Sequence, residues 1–366
     1  MIYPKVSIIT PSYNQAQFLE QCIQSVLSQD YNNIEFIVID GGSTDNSVDI
    51  IKKYTDKITY WVSESDDGQS HAINKGFKRA TGDIVAWLNS DDLYFPDAVS
   101  TAVKRFEEQP GLTLFYGNAV WIGKNGEFIR YFTEIEPYNQ KRLLNYSDFI
   151  MQPTTFFSRQ KLIEVGYLDE SLYYAMDWDL WCKLSKTGTF LYEEKLIAAH
   201  RDYEATKTNS GGYKRLKELL KIQCRHITGF WPHAFWGFLS YEIYKRNSNR
   251  NLLIRFVSCR LAKAISHMSP TAIKFHNTNI KNKNLYGFKP YSHEIPEGYA
   301  EIHLPYIDDD YKFSIELMEN VDKELYINRT APSIHPFSLN NSMSIELEIK
   351  DENNNRCGGT VKIVRT

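Results

Sequence analysis

Val6-Ser7-Ile8-Ile9-Thr10-Pro11-Ser12-Tyr13-Asn14 is a short apolar, β-branched run that stops at a proline turn. Helical spacing follows it: Phe18, Cys22, Ile23, Val26 and Leu27 recur on one face. The pattern then repeats. Ile34–Ile39 is a near-continuous apolar strand that ends at Asp40-Gly41-Gly42. Ser43 or Asp45 can cap a helix running through Val48, Ile51 and Tyr54. Thr59–Val62 reads as a third strand, Ala72, Ile73, Phe77 and Ala80 as a helix face, and Ile84–Leu88 as a fourth strand. Such alternation predicts a parallel, doubly wound α/β sheet. In open sheets of this kind ligands bind beyond the carboxyl ends of the strands. Tyr13, Asp40, Glu64 and Asp66, and Asn89–Asp92 all fall there.

From about residue 112 the pattern becomes mixed. Strands are expected at Thr113–Tyr116, Val120–Ile122, Phe128–Phe132, Thr154–Phe157, Phe190–Tyr192 and Ile197–Ala199, with helices at Arg159–Val165 and Asp177–Lys186. Residues 212–268 read as helical, and from about 285 the chain turns β-like with Asn, Asp and Gly turns between runs. The expected organisation is a catalytic domain over 1–210, a helical extension over 211–280 and a small β-rich accessory domain over 281–366. Acceptor binding and self-association into a homo-oligomer are the roles open to the last of these.

The 366 residues carry 42 basic and 45 acidic side chains, a formal net charge of −3. This balance argues against nucleic acid as the main partner, since phosphate-backbone binding needs a basic surface. Five cysteines without a Cys-x-x-Cys pair point away from a disulfide framework and a structural zinc site, and toward a reducing cytoplasm. No leader-like segment and no run of about 18 apolar residues is legible. The stretch Ile227–Arg246 combines aromatic, apolar and basic residues. It suits either packing on the catalytic domain or peripheral contact with the inner face of a membrane.

Three clusters carry chemistry. Asp40-Gly41-Gly42-Ser43-Thr44-Asp45 sets a carboxylate at a strand end, with glycines that let the backbone turn sharply near a ligand. Leu88-Asn89-Ser90-Asp91-Asp92 places adjacent acids after an apolar strand, where they repel unless something positive lies beside them. A divalent cation with hard oxygen ligands answers that repulsion, and a helix N-cap is the alternative. Asp177-Trp178-Asp179-Leu180-Trp181 opens a helix. Its carboxylates suit either capping or a general base. Positions 177 and 179 lie about 200° apart on a helix, so both cannot point at one hydroxyl. Trp178 and Trp181 are expected either to shape an acceptor pocket or, in the case of Trp181, to be core.

Together, Val6–Asn14, Asp40–Asp45, Gly82-Asp83 before a strand, Asn89–Asp92 and Asp177–Trp181 resemble the family 2 glycosyltransferases of the GT-A fold over roughly residues 4–210. The resemblance implies a doubly wound mixed sheet, an inverting transfer, a nucleotide-sugar donor (a UDP-sugar foremost), a divalent metal (Mn²⁺ or Mg²⁺), and a saccharide or lipid-linked saccharide acceptor in bacterial surface polysaccharide assembly. Carried over by position, it implies that Pro11, Tyr13, Asp40 and Asp66 hold the nucleotide. Asp91, with Asn89, would be the metal ligand, and Asp177 the base, with Asp92 and Asp179 as supporting carboxylates. Two departures stand out. Asn89 replaces an acid, so the metal site has one charge fewer. Tyr203, in Arg201-Asp202-Tyr203-Glu204, stands where relatives often have a histidine. His200 reads as structural, and Lys207 remains to neutralise the diphosphate. The competing classes are nucleotidyl transfer, for which a Gly-rich basic phosphate loop is missing, and a catalytically silent sugar- or nucleotide-binding scaffold.

Overall fold

The computed structural model describes residues 4–132, 135–203, 206–207 and 212–228, separate positions between 232 and 265, and the backbone of strands between 299 and 365. Two compact units emerge, Met1–Trp121 with Phe132–Tyr286, and Ile122–Tyr131 with Gly287–Thr366. In chain order the first half holds β1 (Val6–Ser12), α1 (Ala16–Leu27), β2 (Ile34–Asp40), α2 (Ser47–Lys53), β3 (Tyr60–Ser63), α3 (Gln69–Arg79), β4 (Ile84–Trp87), β5 (Leu93–Tyr94), α4 (Ala98–Glu108) and β6 (Leu114–Ile122). Then come β7 (Phe128–Tyr131), α5 (Gln140–Asn145), β8 (Phe156–Ser158), α6 (Arg159–Val165), α7 (Met176–Leu184), β9 (Phe190–Arg201) and α8 (Gly212–His226).

The main sheet runs β3-β2-β1-β4-β8-β6-β9-β5. Its β3-β2-β1-β4 part is parallel, while β4 pairs antiparallel with β8, as β8 does with β6 and β5 with β9. The sheet is thus mixed, with the doubly wound part at the N-terminal side. Alternation explains the two-sided burial. Val6, Ile8, Phe36 and Val38 join Leu19, Cys22 and Val99 in one core, whereas Ile9, Ile37 and Ile39 join Ile73, Phe77 and Trp181 in the other. Strands buried on both faces read as continuous apolar runs.

Three local readings change. Where a strand was expected from Thr154, Gln152–Thr154 forms a 3₁₀ turn and the strand starts at Phe156. Pro153 supplies no N–H for a ladder, and the Gln152 side chain donates to the Trp87 carbonyl (2.7 Å). The two short strands expected at 190–199 are one, because Arg105 forks onto Glu193 (2.7 and 2.8 Å) and carries the polar middle of β9. Likewise β6 is continuous across the gap expected between 116 and 120. Helix α6 is capped at its start by Ser158, whose hydroxyl accepts from Lys161 N, and at its end by Gly166 in the left-handed region.

Helix α8 packs on α5 and α7. Of the aromatic stretch 227–246, Phe235, Phe238 and Leu239 are partly buried against one of the two cores. Most of 229–280 lies outside the described residues. The second unit holds β10 (Tyr299–Ala300), β11 (Ile302–His303), β12 (Phe313–Leu317), β13 (Leu325–Arg329), β14 (Met343–Lys350) and β15 (Arg356–Arg365). They form a four-stranded sheet, β10-β15-β14-β11, and a β12-β13 hairpin. No helix among the described residues is long and apolar enough to cross a membrane.

Candidate active site

At the carboxyl edge of the parallel strands, Pro11 lies opposite Ile39 and Ser12 opposite Asp40. Asp40 is fully buried. Its Oδ2 accepts from Gly42 N (3.2 Å), Ser43 N (2.9 Å) and Ser63 Oγ (2.7 Å), and its Oδ1 from Ser43 Oγ (2.5 Å). Asp40 therefore holds the turn together, and only Oδ1 has capacity left for a nucleotide base. Gly42 has φ +80°, and a Cβ on Gly41 would lie 2.5 Å from Asp66 Oδ2. Glycine is what lets Asp66 close over the turn. Asn14, at φ 52°, ties the first two loops together. Its N donates to Ser43 Oγ (2.8 Å) and its Oδ1 accepts from Thr44 N (2.8 Å). Tyr13 is left 61% exposed beside them, a ring free to stack.

After β4, Asp92 is buried and well partnered. Its Oδ1 accepts from Arg201 N (2.9 Å) and lies 2.9 Å from His200 Nδ1, while its Oδ2 accepts from Asn89 (3.3 Å). Burial works against the charged form of His200, but Asp92 and Asp91 prevail and bring its pKa up to about 9. An imidazolium thus compensates Asp92, in keeping with a structural histidine. The Arg201 side chain braces the turn. Its Nε donates to the Asp91 carbonyl (2.8 Å), its Nη2 to Gln21 (2.8 Å), and its guanidinium lies 4.6 Å from the Phe18 ring centroid.

Asp91 is different. Burial and the charge of Asp92 push its carboxyl up to about 6, against the pull of His200 and Tyr203. The Tyr203 hydroxyl donates to its Oδ2 (3.1 Å) and accepts from Gln15 (3.3 Å). Asn89, expected beside a metal, is engaged by neighbouring side chains. Its Oδ1 accepts from Gln69 (2.7 Å) and its amide donates to Gln152 (3.0 Å) as well as to Asp92. It belongs to a side-chain network that braces the acidic turn. Among the described residues no three His, Cys, Asp or Glu side chains converge as a cation site. Asp91 still fits a Mg²⁺- or Mn²⁺-like ion, which commonly takes one or two carboxylates and completes its shell with substrate phosphates and water.

At the start of α7, Asp177 is partly buried, and its Oδ1 accepts from Trp178 N (2.8 Å). Burial raises its pKa, with Arg215 and Lys207 pulling the other way. Asp179 points elsewhere. It is 2.8 Å from His226 Nε2, 3.2 Å from Lys183 Nζ and 3.5 Å from Arg225 Nη1. Burial opposes its charge, but His226 and Lys183 hold it below the usual carboxylate range. Asp179 thus clamps α7 to α8. The acceptor-pocket expectation fails for Trp178, while Trp181 takes its alternative place in the core: both are at most 1% exposed. Trp178 donates to the Leu143 carbonyl (3.0 Å), and Trp181 stacks on Trp87 at 5.4 Å between centroids.

Lys207 joins these pieces. Its ammonium lies 3.7 Å from the Tyr173 ring centroid and donates to the Tyr173 carbonyl (3.4 Å). Burial lowers its pKa to about 8, while Glu218, Asp177, Asp66 and Asp91 all act to raise it. One cation is therefore within electrostatic reach of the nucleotide-side, metal-side and base-side carboxylates. Sequence reasoning missed Gln69, Gln152, Asp148 and Arg215 around this centre. The only signal for Gln152 was the adjoining Pro153, and Asp148 and Arg215 stood in segments without a motif.

The family "Glycosyl transferase family 2" matches residues 7–166 of this chain. An "Uncharacterized glycosyltransferase" of Rickettsia typhi is 31% identical over 215 residues, covering 57% of this chain and 67% of that protein. The chain spans 34% of the length of the Rickettsia felis relative. The GalNAc(5)-diNAcBac-PP-undecaprenol beta-1,3-glucosyltransferase of Campylobacter jejuni is 28% identical over 240 residues, covering 61% of this chain and 76% of that protein. In fold, the chain resembles S. aureus TarS 1–349 in complex with UDP-GlcNAc, with a TM-score of 0.52 at 17% identity, covering 77% of this chain and 89% of that one. A mixed GT-A sheet with acidic groups at its carboxyl edge thus meets a direct family match. The chain belongs to the family 2 glycosyltransferases.

Proposed function

We propose that the protein moves a sugar from a nucleotide diphosphate, a UDP-sugar foremost, onto a hydroxyl of a saccharide or lipid-linked saccharide, inverting the anomeric carbon. The observation that carries this reading is the position of Lys207 among Asp66, Asp91 and Asp177. A diphosphate and a sugar set between those groups would have a cation at the leaving side and a base at the acceptor side. Pro11, Tyr13, Oδ1 of Asp40 and Asp66 would frame the nucleotide. Departure of the diphosphate builds negative charge, which Lys207 neutralises. A divalent cation bound to Asp91 would add Lewis-acid stabilisation of the same oxygens. Asp177 takes the proton of the acceptor hydroxyl, and its raised proton affinity suits that task. One in-line displacement inverts the configuration without a covalent nucleophile.

The donor and acceptor classes draw support from what the relatives' names state. TarS is complexed with UDP-GlcNAc, and the Campylobacter protein is a glucosyltransferase of an undecaprenol-linked glycan. A lipid-linked acceptor would bring the enzyme to a membrane surface, as bacterial surface polysaccharide assembly requires. A thermal-shift screen of nucleotide sugars with and without Mn²⁺ tests the reading, because a ligand that binds only the folded state raises the melting temperature. A metal-dependent rise with a UDP-sugar is expected. No rise with any nucleoside diphosphate sugar would refute it.

A further inference from the structure

Gln69 has no role in the scheme above, yet it stands where the parts of that scheme meet. It opens α3, directly after the turn in which Gly68 N donates to Asp66 Oδ1 (2.8 Å). A Cβ on Gly41 would lie 2.5 Å from Asp66 Oδ2, so this turn rests against the nucleotide-side loop. The Gln69 side chain donates from Nε2 to Asn89 Oδ1 (2.7 Å), and Asn89 shares its turn with Asp91. The next residue, Ser70, donates to the Leu172 carbonyl (3.0 Å) in the segment that leads into α7 and Asp177. The stretch Asp66–Ser70 thus contacts the nucleotide side, the diphosphate side and the base side at once. A sugar in transfer lies between the last two.

The orientation of the Gln69 amide follows from groups that can only accept. Trp87 offers a backbone carbonyl, so the Gln152 amide nitrogen faces it (2.7 Å) and Gln152 Oε1 is left for Asn89. Asn89 gives one N–H to Gln152 Oε1 (3.0 Å) and the other to the Asp92 carboxylate (3.3 Å). Asp92 fixes the same orientation independently, because a carboxylate only accepts. Both Asn89 N–H groups are spent, and Oδ1 is what it turns to Gln69. Reversing Gln69 would set two acceptor oxygens against each other and leave the Asn89 carbonyl unpaired. Gln69 Nε2 is therefore pinned, and its Oε1 has no partner among the described residues. A glutamine free to rotate swaps its ends and pairs with a donor or an acceptor alike. A pinned one cannot, and a group that only accepts rejects a ligand with no hydrogen to give. The side chain is partly exposed, as a contact with a ligand requires.

We propose that Gln69 is a specificity-determining residue for the donor: its Oε1, held as an acceptor by the chain through Asn89 and Gln152, takes a hydrogen bond from a hydroxyl or acetamido N–H of the sugar being transferred. This rests on the reading of the protein as a nucleotide-sugar transferase.

The test measures binding to the full chain by calorimetry with Mn²⁺, using UDP, UDP-glucose, UDP-galactose, UDP-GlcNAc and UDP-GalNAc. Analogues of the preferred sugar follow, each with fluorine in place of one hydroxyl or of the acetamido group, which removes a hydrogen donor. One such position should cost about tenfold in wild-type affinity, the scale of a single neutral hydrogen bond. In Gln69→Met, which keeps the length and loses the polar end, the preferred sugar should weaken by the same factor. The fluorine at that position should then cost nothing, and UDP should bind as before. This coupling between one sugar position and one residue is what a bracing role alone would not produce. If Gln69→Met weakens UDP and every UDP-sugar alike, or if the fluorine penalty survives in it, the proposal is overturned while the transferase reading stands. Should Gln69→Met fail to fold, the wild-type series decides: no position that costs affinity overturns the proposal. If the wild type binds UDP-sugars no better than it binds unrelated nucleotides, the transferase reading fails and takes this proposal with it.

Discussion

The acidic turn after β4 and the acidic first turn of α7 are built alike. Each holds one carboxylate that the fold compensates and one that it leaves short. Asp92 has His200, Asn89 and the Arg201 backbone, and Asp179 has His226, Lys183 and Arg225. Asp91 and Asp177 are instead raised by burial, and both act on Lys207. The partnered member of each pair fixes the backbone, and the other is held where a ligand or a proton would relieve it. Perturbed groups of this kind gather at working sites.

The comparison breaks first at Asp177. Asp177→Asn should lower turnover by about 10²- to 10⁴-fold, the span of general-base catalysis, with donor affinity unchanged in a binding titration. Next comes Asp91→Asn, which should weaken Mn²⁺-dependent donor binding by about 10²-fold, the equivalent of one charge-assisted interaction, while metal-free binding stays as it was. Among the partnered members, Asp179→Asn should cost about 1.5–3 kcal/mol in denaturant unfolding, as a lost hydrogen bond between charged groups does. Asp179 is held below its ordinary range, so its contribution is complete above that range and is lost as pH falls through the folded-state value. The smallest effect concerns Lys207. Its charge is present below about 8 and lost above. The donor kcat/KM should therefore fall as pH rises through that value, and Lys207→Met should flatten this limb.

The sequence made the parallel half of the sheet legible because two-sided burial writes continuous apolar runs, as in Ile34–Ile39. It also placed Asp40, Asp66, Asp91 and Asp177 near one another, through strand ends and a helix start. The division within each acidic pair came from the family resemblance, since the residues alone show no partner for either acid. That division depends on His200, Arg201 and His226, which are distant in sequence from the acids they compensate. For Asn89 the motif offered only a weakened ligand, and that Gln69 and Gln152 hold its amide was beyond the reach of sequence spacing. Trp178 misled because an aromatic beside a candidate base suits a sugar face as well as a core, whereas Trp181 takes the core place that was its alternative.

Turnover at saturating donor and melting temperature, measured side by side for Asp177→Asn and Asp179→Asn, test the division of labour most directly. Asp177→Asn removes a carboxylate whose ionised form the fold disfavours, so its melting temperature should hold or rise while turnover collapses. Asp179→Asn should lose melting temperature and keep turnover within about tenfold, since it reaches the chemistry only through the helix it clamps. Turnover lost in Asp179→Asn but retained in Asp177→Asn would contradict the account.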